Sequence, residues 1–94
     1  SREELNAIRN KMLEPTGIKF DAPAKVGLYL MGDDMMVVEN FNDEPVDVTV
    51  GTSFSVKAQV KLVLPQEESV RHEIAGNMLV YNIPPRTLVV INYN

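Results

Sequence analysis

The sequence predicts a mainly β fold: an antiparallel β-sandwich of about six to seven strands with one short N-terminal helix. Apolar and polar residues alternate with a period of two in most segments after residue 24, which is typical of strands with one face in a core. Turn residues separate these segments about every 8 to 12 residues. No helix-length segment lies between them, and parallel strands need such crossovers, so the pattern favours antiparallel pairing.

The first fourteen residues predict a short helix. Ser1 stands where an N-cap residue is favoured, and Leu5, Ile8 and Met12 fall on one face at helical intervals. Pro15 disfavours helical geometry at the residue before it, so the helix should end there. Because so short a helix is marginal alone, we expect its apolar face to dock on the rest of the domain or on a neighbour.

Six or seven strands follow in the prediction. Residues 1–24 are expected to be helix and linker, while residues 25–94 form one antiparallel β-sandwich. The Gly32-Asp33-Asp34 turn should join the first two strands as a hairpin, and Gly76-Asn77 should turn the chain after the short segment 70–74. The longest clean alternation runs from Val56 to Leu64, and the Pro84-Pro85 pair marks a strand end because proline cannot donate to a ladder. The segments are 25–31, 35–38, 46–50, 56–64, 70–74, 78–83 and 87–93.

Composition excludes several classes of function. The chain has no cysteine, hence no disulfide, no thiolate nucleophile and no zinc site built on sulfur. A net charge of −4 argues against a nucleic acid partner, and no apolar run is long enough to predict a membrane partner. The compartment stays open, with a periplasmic or secreted location preferred. Since the sequence starts at Ser1 without Met, we expect a domain excised from a longer chain.

Residues for catalysis or metal binding do not come together in the sequence. His72 is the only histidine and lies in a polar segment, where a solvated surface histidine is expected. The pairs Asp33-Asp34 and Asp43-Glu44 lie in turns, which Asp favours for its bonds to backbone N–H groups. The five glycines are scattered singly, so no phosphate loop is present. We therefore predict no catalytic residue, no metal site and no cofactor, and a chain that is not itself an enzyme.

Methionines and aromatic residues offer two further hypotheses. Met31, Met35 and Met36 cluster at one hairpin, and we expect them to fill the core between strands and helix. Carbohydrate platforms rely on exposed aromatic rings that stack on sugars, although tyrosine on a strand more often packs with its hydroxyl at the rim. The candidate ligand contacts are Tyr29, Phe54, Tyr81 and Tyr93.

Two segments resemble parts of the C-terminal β-sandwich domains of glycoside hydrolases. Residues 35–50, MMVVENFNDEPVDVTV, resemble a valine-rich strand followed by an Asn-Phe-x-Asp-Glu-x-Val turn in those domains. Residues 76–91, GNMLVYNIPPRTLVVI, resemble the closing hairpin with a proline-containing turn and an apolar last strand. Residues 56–69 depart from that pattern, since a long lysine-bearing strand and a Gln66-Glu67-Glu68 loop fill a stretch that is often shorter.

The resemblance implies a noncatalytic domain that stabilises or orients the catalytic domain of the same parent chain. In such enzymes the catalytic carboxylates lie on a separate (β/α)8 barrel, and no family catalytic residue has a counterpart here. An accessory domain should carry an apolar surface patch near the helix where its neighbour packs. The alternative is a self-standing carbohydrate- or protein-binding module, which needs at least two exposed aromatic residues among the four candidates.

Overall fold

A computed structural model describes residues 1–32, 34–52, 58–65 and 70–93. Helix α1 spans Arg2–Leu13, a single 3-10 turn spans Glu14–Thr16, and eight strands follow in the described residues. The strands are β1 (Ile18–Asp21), β2 (Val26–Met31), β3 (Met35–Asn40), β4 (Val46–Thr52), β5 (Gln59–Leu64), β6 (Arg71–Ala75), β7 (Met78–Ile83) and β8 (Thr87–Asn92). No helix among the described residues is long and apolar enough to cross a membrane.

The strands form two four-stranded antiparallel sheets, which confirms the predicted fold class. Sheet I has the order β1-β4-β7-β6 and sheet II the order β2-β3-β8-β5. Only the β2–β3 and β6–β7 connections join neighbours within one sheet, and both are the hairpins that the turn residues predict. The other consecutive strands lie in different sheets.

The core lies between the inward faces of the two sheets. The valines of β4 are spaced by two residues and share the inward face, and Val38 of β3 lies on the inward face of the other sheet; Val38, Val48 and Val50 are fully buried. The large side chains of Phe20 and Tyr81 fill the space between them. The sheets are therefore held together by the hydrophobic contacts that the alternation predicts.

Helix α1 begins and ends where its sequence predicts. The Glu4 N–H donates to Ser1 Oγ over 3.2 Å, and this caps the first turn. At the other end α1 is followed by the 3-10 turn, which ends at Gly17 with φ +73°, a left-handed conformation that glycine adopts without a steric penalty. Local groups of the chain thus limit the helical segment at both ends.

The face by which α1 docks on the sandwich is largely polar, with Leu13 packed against the core, so Ile8 and Met12 do not dock on the rest of the domain, the first of the two partners expected for the apolar stripe. Ile8 is 62% exposed and Met12 is 77% exposed. Arg9 instead faces the sandwich. Its guanidinium donates hydrogen bonds to the carbonyls of Ala22 (2.6 Å), Pro23 (2.9 Å) and Val26 (3.0 Å). Burial among these groups lowers the pKa of Arg9, chiefly through desolvation.

The polar residues of this face bond to strand β1 and to the residues after it. The sequence analysis predicts no strand there, because it assigns these residues to the linker. Outward-pointing N–H groups of an edge strand need partners when a helix covers them. Phe20 N–H donates to Asn10 Oδ1 over 2.7 Å, and Ala22 N–H donates to Asn6 Oδ1 over 3.2 Å. Asn6 and Asn10 lie one helical turn apart, a spacing close to that of two residues along a strand. The helix thus bonds to the edge as another strand would.

Strand β5 contains a bulge that reverses its alternation. Val60 pairs with Ile91 on β8, but the next pair on β5 is Leu62, which leaves Lys61 as an extra residue. Val63 is consequently buried, whereas Leu62 and Leu64 are 46% and 44% exposed. Strict alternation over 56–64 would place Val63 on the face opposite Val60, so the pattern is wrong for the second half of the strand.

The β7–β8 connection is not the hairpin that the resemblance implied, because β7 lies in sheet I and β8 in sheet II. Asn40, fully buried at the end of β3, holds this crossing together. Its Nδ2 donates to the carbonyls of Glu44, Ile83 and Pro84. Its Oδ1 accepts from the backbone N–H of Asn42 over 2.9 Å. One side chain therefore joins the β3–β4 turn to the β7–β8 connection.

Candidate functional site: an apolar outer face

The outward face of sheet II is mostly apolar, although one face of an antiparallel sheet commonly meets water through polar residues. Strand pairing places twelve described residues on this face in three rows across the four strands. The rows are Met31-Met35-Asn92-Gln59, Tyr29-Val37-Val90-Leu62 and Gly27-Glu39-Leu88-Leu64. We call these residues the apolar face.

The outward face of sheet I shows that this composition is specific to sheet II. Its strand pairs point Lys19, Asp21, Asp47, Arg71 and Glu73 outward, together with small, apolar and amide residues. The apolar face carries only one charged side chain among its described members, Glu39. The domain is therefore asymmetric, with one charged face and one face suited to contact with another surface.

Exposure varies across the apolar face in a way that leaves large side chains available. Tyr29 is 50% exposed, Met31 is 57% exposed and Leu62 is 46% exposed, and these residues lie on the two outer strands. Val37 on the central strand β3 is only 9% exposed. The bulge in β5 helps to build the face, since without it Leu62 would not pair outward beside Val90.

Tyr29 lies along the sheet over Gly27. A Cβ atom at Gly27 would be 2.9 Å from the Tyr29 hydroxyl and 3.1 Å from its ring carbons Cε2 and Cζ. The absence of a side chain at Gly27 thus leaves the space that the ring occupies. The ring folds back over its own strand.

Exposed apolar residues of α1 form a second patch. Ile8 and Met12 lie one turn apart on the helix, and both are exposed. Next to Met12, a shallow groove of about 250 Å³ runs between the helix and strand β2, where it is bordered by Leu13, Val26 and Leu28. An apolar patch at the helix is thus present, as an accessory domain requires.

The aromatic candidates are not brought together. Tyr29 is exposed on β2, but Tyr81 is 1% exposed and Tyr93 is 4% exposed, so their rings pack in the core. Phe54 lies outside the described residues. The prediction of ligand contact stays open for Tyr29, whereas the burial of Tyr81 and Tyr93 leaves no ring face for a sugar. Tyr81 on β7 and Tyr93 after β8 are buried because both point toward the core.

His72 lies exposed on edge strand β6, and its ring stacks on Tyr81 with centroids 5.7 Å apart. Asp33 lies outside the described residues. Of the methionine cluster, Met36 is buried, but Met31 and Met35 point outward on the apolar face, which corrects the expectation that all three fill the core. Within the described ranges no group of three or more His, Asp or Glu side chains could hold a metal ion.

A polar cleft of about 350 Å³ lies at the end of the sandwich where the β1–β2, β3–β4 and β7–β8 connections meet. Arg86 Nε donates to Asp43 Oδ1 over 2.7 Å, and this bond and charge lower the pKa of Asp43. Lys25 and Arg86 adopt positive φ of 60° and 52°. Their backbones are held by turn hydrogen bonds, Phe41 N–H to the Lys25 carbonyl and Arg86 N–H to the Asn42 carbonyl. Asp43 lies in a turn as predicted, but the bond that the structure shows for its carboxylate joins it to Arg86 of the β7–β8 connection.

A family model described as "Probable glycosyl hydrolase, C-terminal domain" matches residues 17–75, more than half of the chain. The chain belongs to this family. The match begins just before β1 and ends with β6, so it includes three of the four strands that build the apolar face. Neither a search of curated proteins nor a search of solved structures finds a match. This glycosyl hydrolase C-terminal domain is thus identified through its family and its β-sandwich.

Proposed function

We propose that this glycosyl hydrolase C-terminal domain is noncatalytic and stabilises or orients the catalytic domain of the same parent chain by packing against it through the apolar face. The observation that carries the proposal is the apolar face itself, which has one charged side chain where the outward face of sheet I has five. A C-terminal domain follows another part of its chain, and that part is a neighbour tethered at high effective concentration.

Contact of the apolar face with the catalytic domain is more favourable than its exposure to water. Burial of an exposed leucine or methionine side chain is worth roughly 1.5–3 kcal/mol, and the apolar face offers several such side chains on neighbouring strands. Contacts between domains of one chain need less affinity than contacts between separate proteins, because the tether has already reduced the entropic cost of association. The exposed Ile8 and Met12 of α1 offer a second, smaller contact for the same neighbour.

The test replaces Leu62 and Leu64 with threonine in the full-length parent enzyme. Threonine keeps a high strand propensity while it removes apolar surface from the interface. We expect the catalytic activity to be lost at a lower temperature than in the wild-type enzyme, because the catalytic domain loses a stabilising neighbour. Activity measured after incubation at increasing temperatures gives the midpoint of inactivation.

Met78→Thr is the matched control. Met78 is 48% exposed, close to the 46% of Leu62, but it points outward from sheet I. This variant should inactivate at the wild-type temperature. Equal midpoints for the Leu62/Leu64 variant and the Met78 variant would contradict the proposal. Unfolding of the 94-residue chain alone should be similar in all three, which shows that the sandwich itself is intact.

A second candidate function is carbohydrate binding; of the two exposed aromatic residues that it needs among the four candidates, the described residues supply one, Tyr29. A tyrosine that lies along a sheet presents a flat apolar surface of the kind that stacks on a sugar ring. Titration calorimetry with soluble polysaccharides would give heat for the wild-type chain and none for Tyr29→Ala. Absence of binding by the wild-type chain would reject this candidate and leave the docking proposal untouched.

A further inference from the structure

Glu39 is the single charged side chain among the described members of the apolar face, and its position is central in the sheet. It lies on β3, a strand with neighbours on both sides, between Gly27 on β2 and Leu88 on β8. The two ion pairs in the described part of the chain are Arg2–Asp21 and Asp43–Arg86. Glu39 thus has no ion-pair partner within the described residues.

Packing of the apolar face against another domain would remove Glu39 from water. An ionised carboxylate that loses its hydration without gaining a partner costs several kcal/mol, which would oppose docking. A neutral or apolar residue at this position would dock on an apolar surface without that cost. The presence of a carboxylate therefore carries information about the surface that meets it.

We infer that the catalytic domain presents a basic side chain, arginine or lysine, opposite Glu39, within an otherwise apolar contact surface. This inference rests on the proposed function and goes beyond it, because it states the chemistry of the partner surface. A single ion pair surrounded by apolar contacts also selects one orientation of the two domains, since any shift in register leaves both charges buried and unpaired. Apolar contacts alone lack this directional preference.

The direction in which one substitution changes the rate of thermal inactivation distinguishes a basic partner surface from an apolar one. Glu39→Gln in the full-length parent enzyme keeps the shape of the side chain and removes its charge. Opposite a basic residue, this change leaves a cation buried and unpaired, so thermal inactivation at a constant temperature should become roughly tenfold faster or more. Glu39→Lys should accelerate inactivation further, because two like charges then meet.

The matched controls are Glu73→Gln and Glu73→Lys. Glu73 is also a glutamate in a strand, but it is exposed and points outward from sheet I. Neither Glu73 variant should change the rate of inactivation. Because Glu39 has no ion-pair partner within the described residues, we also expect the 94-residue chain with Glu39→Gln to unfold at the wild-type denaturant concentration. This measurement separates an effect on docking from an effect on the sandwich.

Three results would overturn the inference. Slower inactivation of Glu39→Gln would mean that the partner surface is apolar and that the charge opposes docking. An unchanged rate for Glu39→Gln, with faster inactivation of the Leu62/Leu64 variant, would place Glu39 outside the contact; in both cases the proposed function stands. If the Leu62/Leu64 variant and the Glu39 variants all behave as wild type, the proposed function fails and the inference fails with it.

Discussion

Asn40 shows how one buried polar side chain can organise several loops. It is fully buried, and its amide bonds to three carbonyls and two donors of Asn42 in the turn that follows. An amide is suited to this position because it both donates and accepts. The Asn-Phe-x-Asp-Glu segment of the sequence is therefore a structural motif of the sandwich. Its first residue, Asn40, holds the loops together, and its carboxylates contribute less to this.

We predict that Asn40→Ala lowers the free energy of unfolding by about 2–4 kcal/mol, because buried carbonyls and N–H groups lose their partner. Urea unfolding of the 94-residue chain measures the change. Asn82→Ala is the control: its Nδ2 donates to Asp47 in an exposed bond, and its loss should cost about 0.5–1 kcal/mol. Similar costs for the two variants would show that Asn40 does not organise the loops.

Tyr81 gives the chain a pH dependence in the alkaline range. Burial raises the pKa of Tyr81 to about 12. In the unfolded chain a tyrosine has a pKa of about 10, so above that pH the unfolded state releases a proton that the folded state retains. Stability from this group is complete below pH 10 and is lost as the pH rises from 10 to 12.

We expect the free energy of unfolding to fall by up to about 1.4 kcal/mol per pH unit in this range through Tyr81 alone. Tyr81→Phe should show a shallower decline between pH 10 and 12 than the wild-type chain in urea unfolding. If the Tyr81→Phe and wild-type slopes agree, the buried phenol is not responsible.

At the scale of single elements, α1 is held by polar bonds to an edge strand rather than by the apolar stripe of its sequence. Asn6, Arg9 and Asn10 bond to groups of β1 and of the chain that follows it. The stripe of Ile8 and Met12 is left on the surface. An amphipathic pattern identifies which side chains are apolar, but the partner decides which face is buried.

We predict that Arg9→Met loosens the helix from β1 at a cost of about 2–3 kcal/mol, because charge-assisted bonds to three carbonyls are lost. Hydrogen exchange of the Phe20 amide, which donates to Asn10, should become faster. Lys11→Met, at an exposed position of the same helix, should leave this exchange unchanged. Wild-type exchange of the Phe20 amide in Arg9→Met would show that Arg9 does not hold the helix.

The bulge in β5 reverses which residues of that strand should matter for stability, compared with strict alternation in the sequence. Val63→Thr should destabilise the 94-residue chain by about 1–3 kcal/mol, because it places a hydroxyl in the core. Leu62→Thr and Leu64→Thr should each change the free energy of unfolding by about 0.5 kcal/mol or less, since surface substitutions usually have small effects. Denaturant unfolding of the three variants decides between the patterns. A larger loss for Leu62→Thr than for Val63→Thr would show that strict alternation is right.

At the scale of the whole molecule, the two outward faces differ in chemistry, although each is built by four antiparallel strands. Sheet I points charged side chains outward, and sheet II presents the apolar face. A net charge of −4 keeps separated copies apart at long range, but it does not prevent contact between apolar faces at high concentration. The molecule as a whole is suited to lie between solvent and a neighbouring domain.

We expect the 94-residue chain without its catalytic domain to associate weakly with itself through the apolar face. Sedimentation velocity at increasing concentration should show a rise in average mass for the wild-type chain. The Leu62→Thr/Leu64→Thr variant should stay monomeric over the same range, and Met78→Thr should behave as wild type. Equal association of both variants would place the contact elsewhere on the surface.

The sequence by itself determined the fold class, six or seven strands after residue 24, the turns at Gly32 and Gly76 and the limits of the helix. These features depend on local chemistry: the period of two, the turn residues near Gly32 and Gly76, and the Ser1 cap. The resemblance to glycoside hydrolase C-terminal domains was confirmed by the family match.

Only the tertiary structure decided which apolar side chains are buried. Strand β1 forms because β4, which is distant in sequence, pairs with it and α1 covers its other edge. The bulge at Lys61 turns Leu62 outward, and the inward side of β7 buries Tyr81. A period of two specifies that two faces differ, but the pairing of distant strands specifies which face meets the core. For this reason the apolar face became visible only in the folded chain.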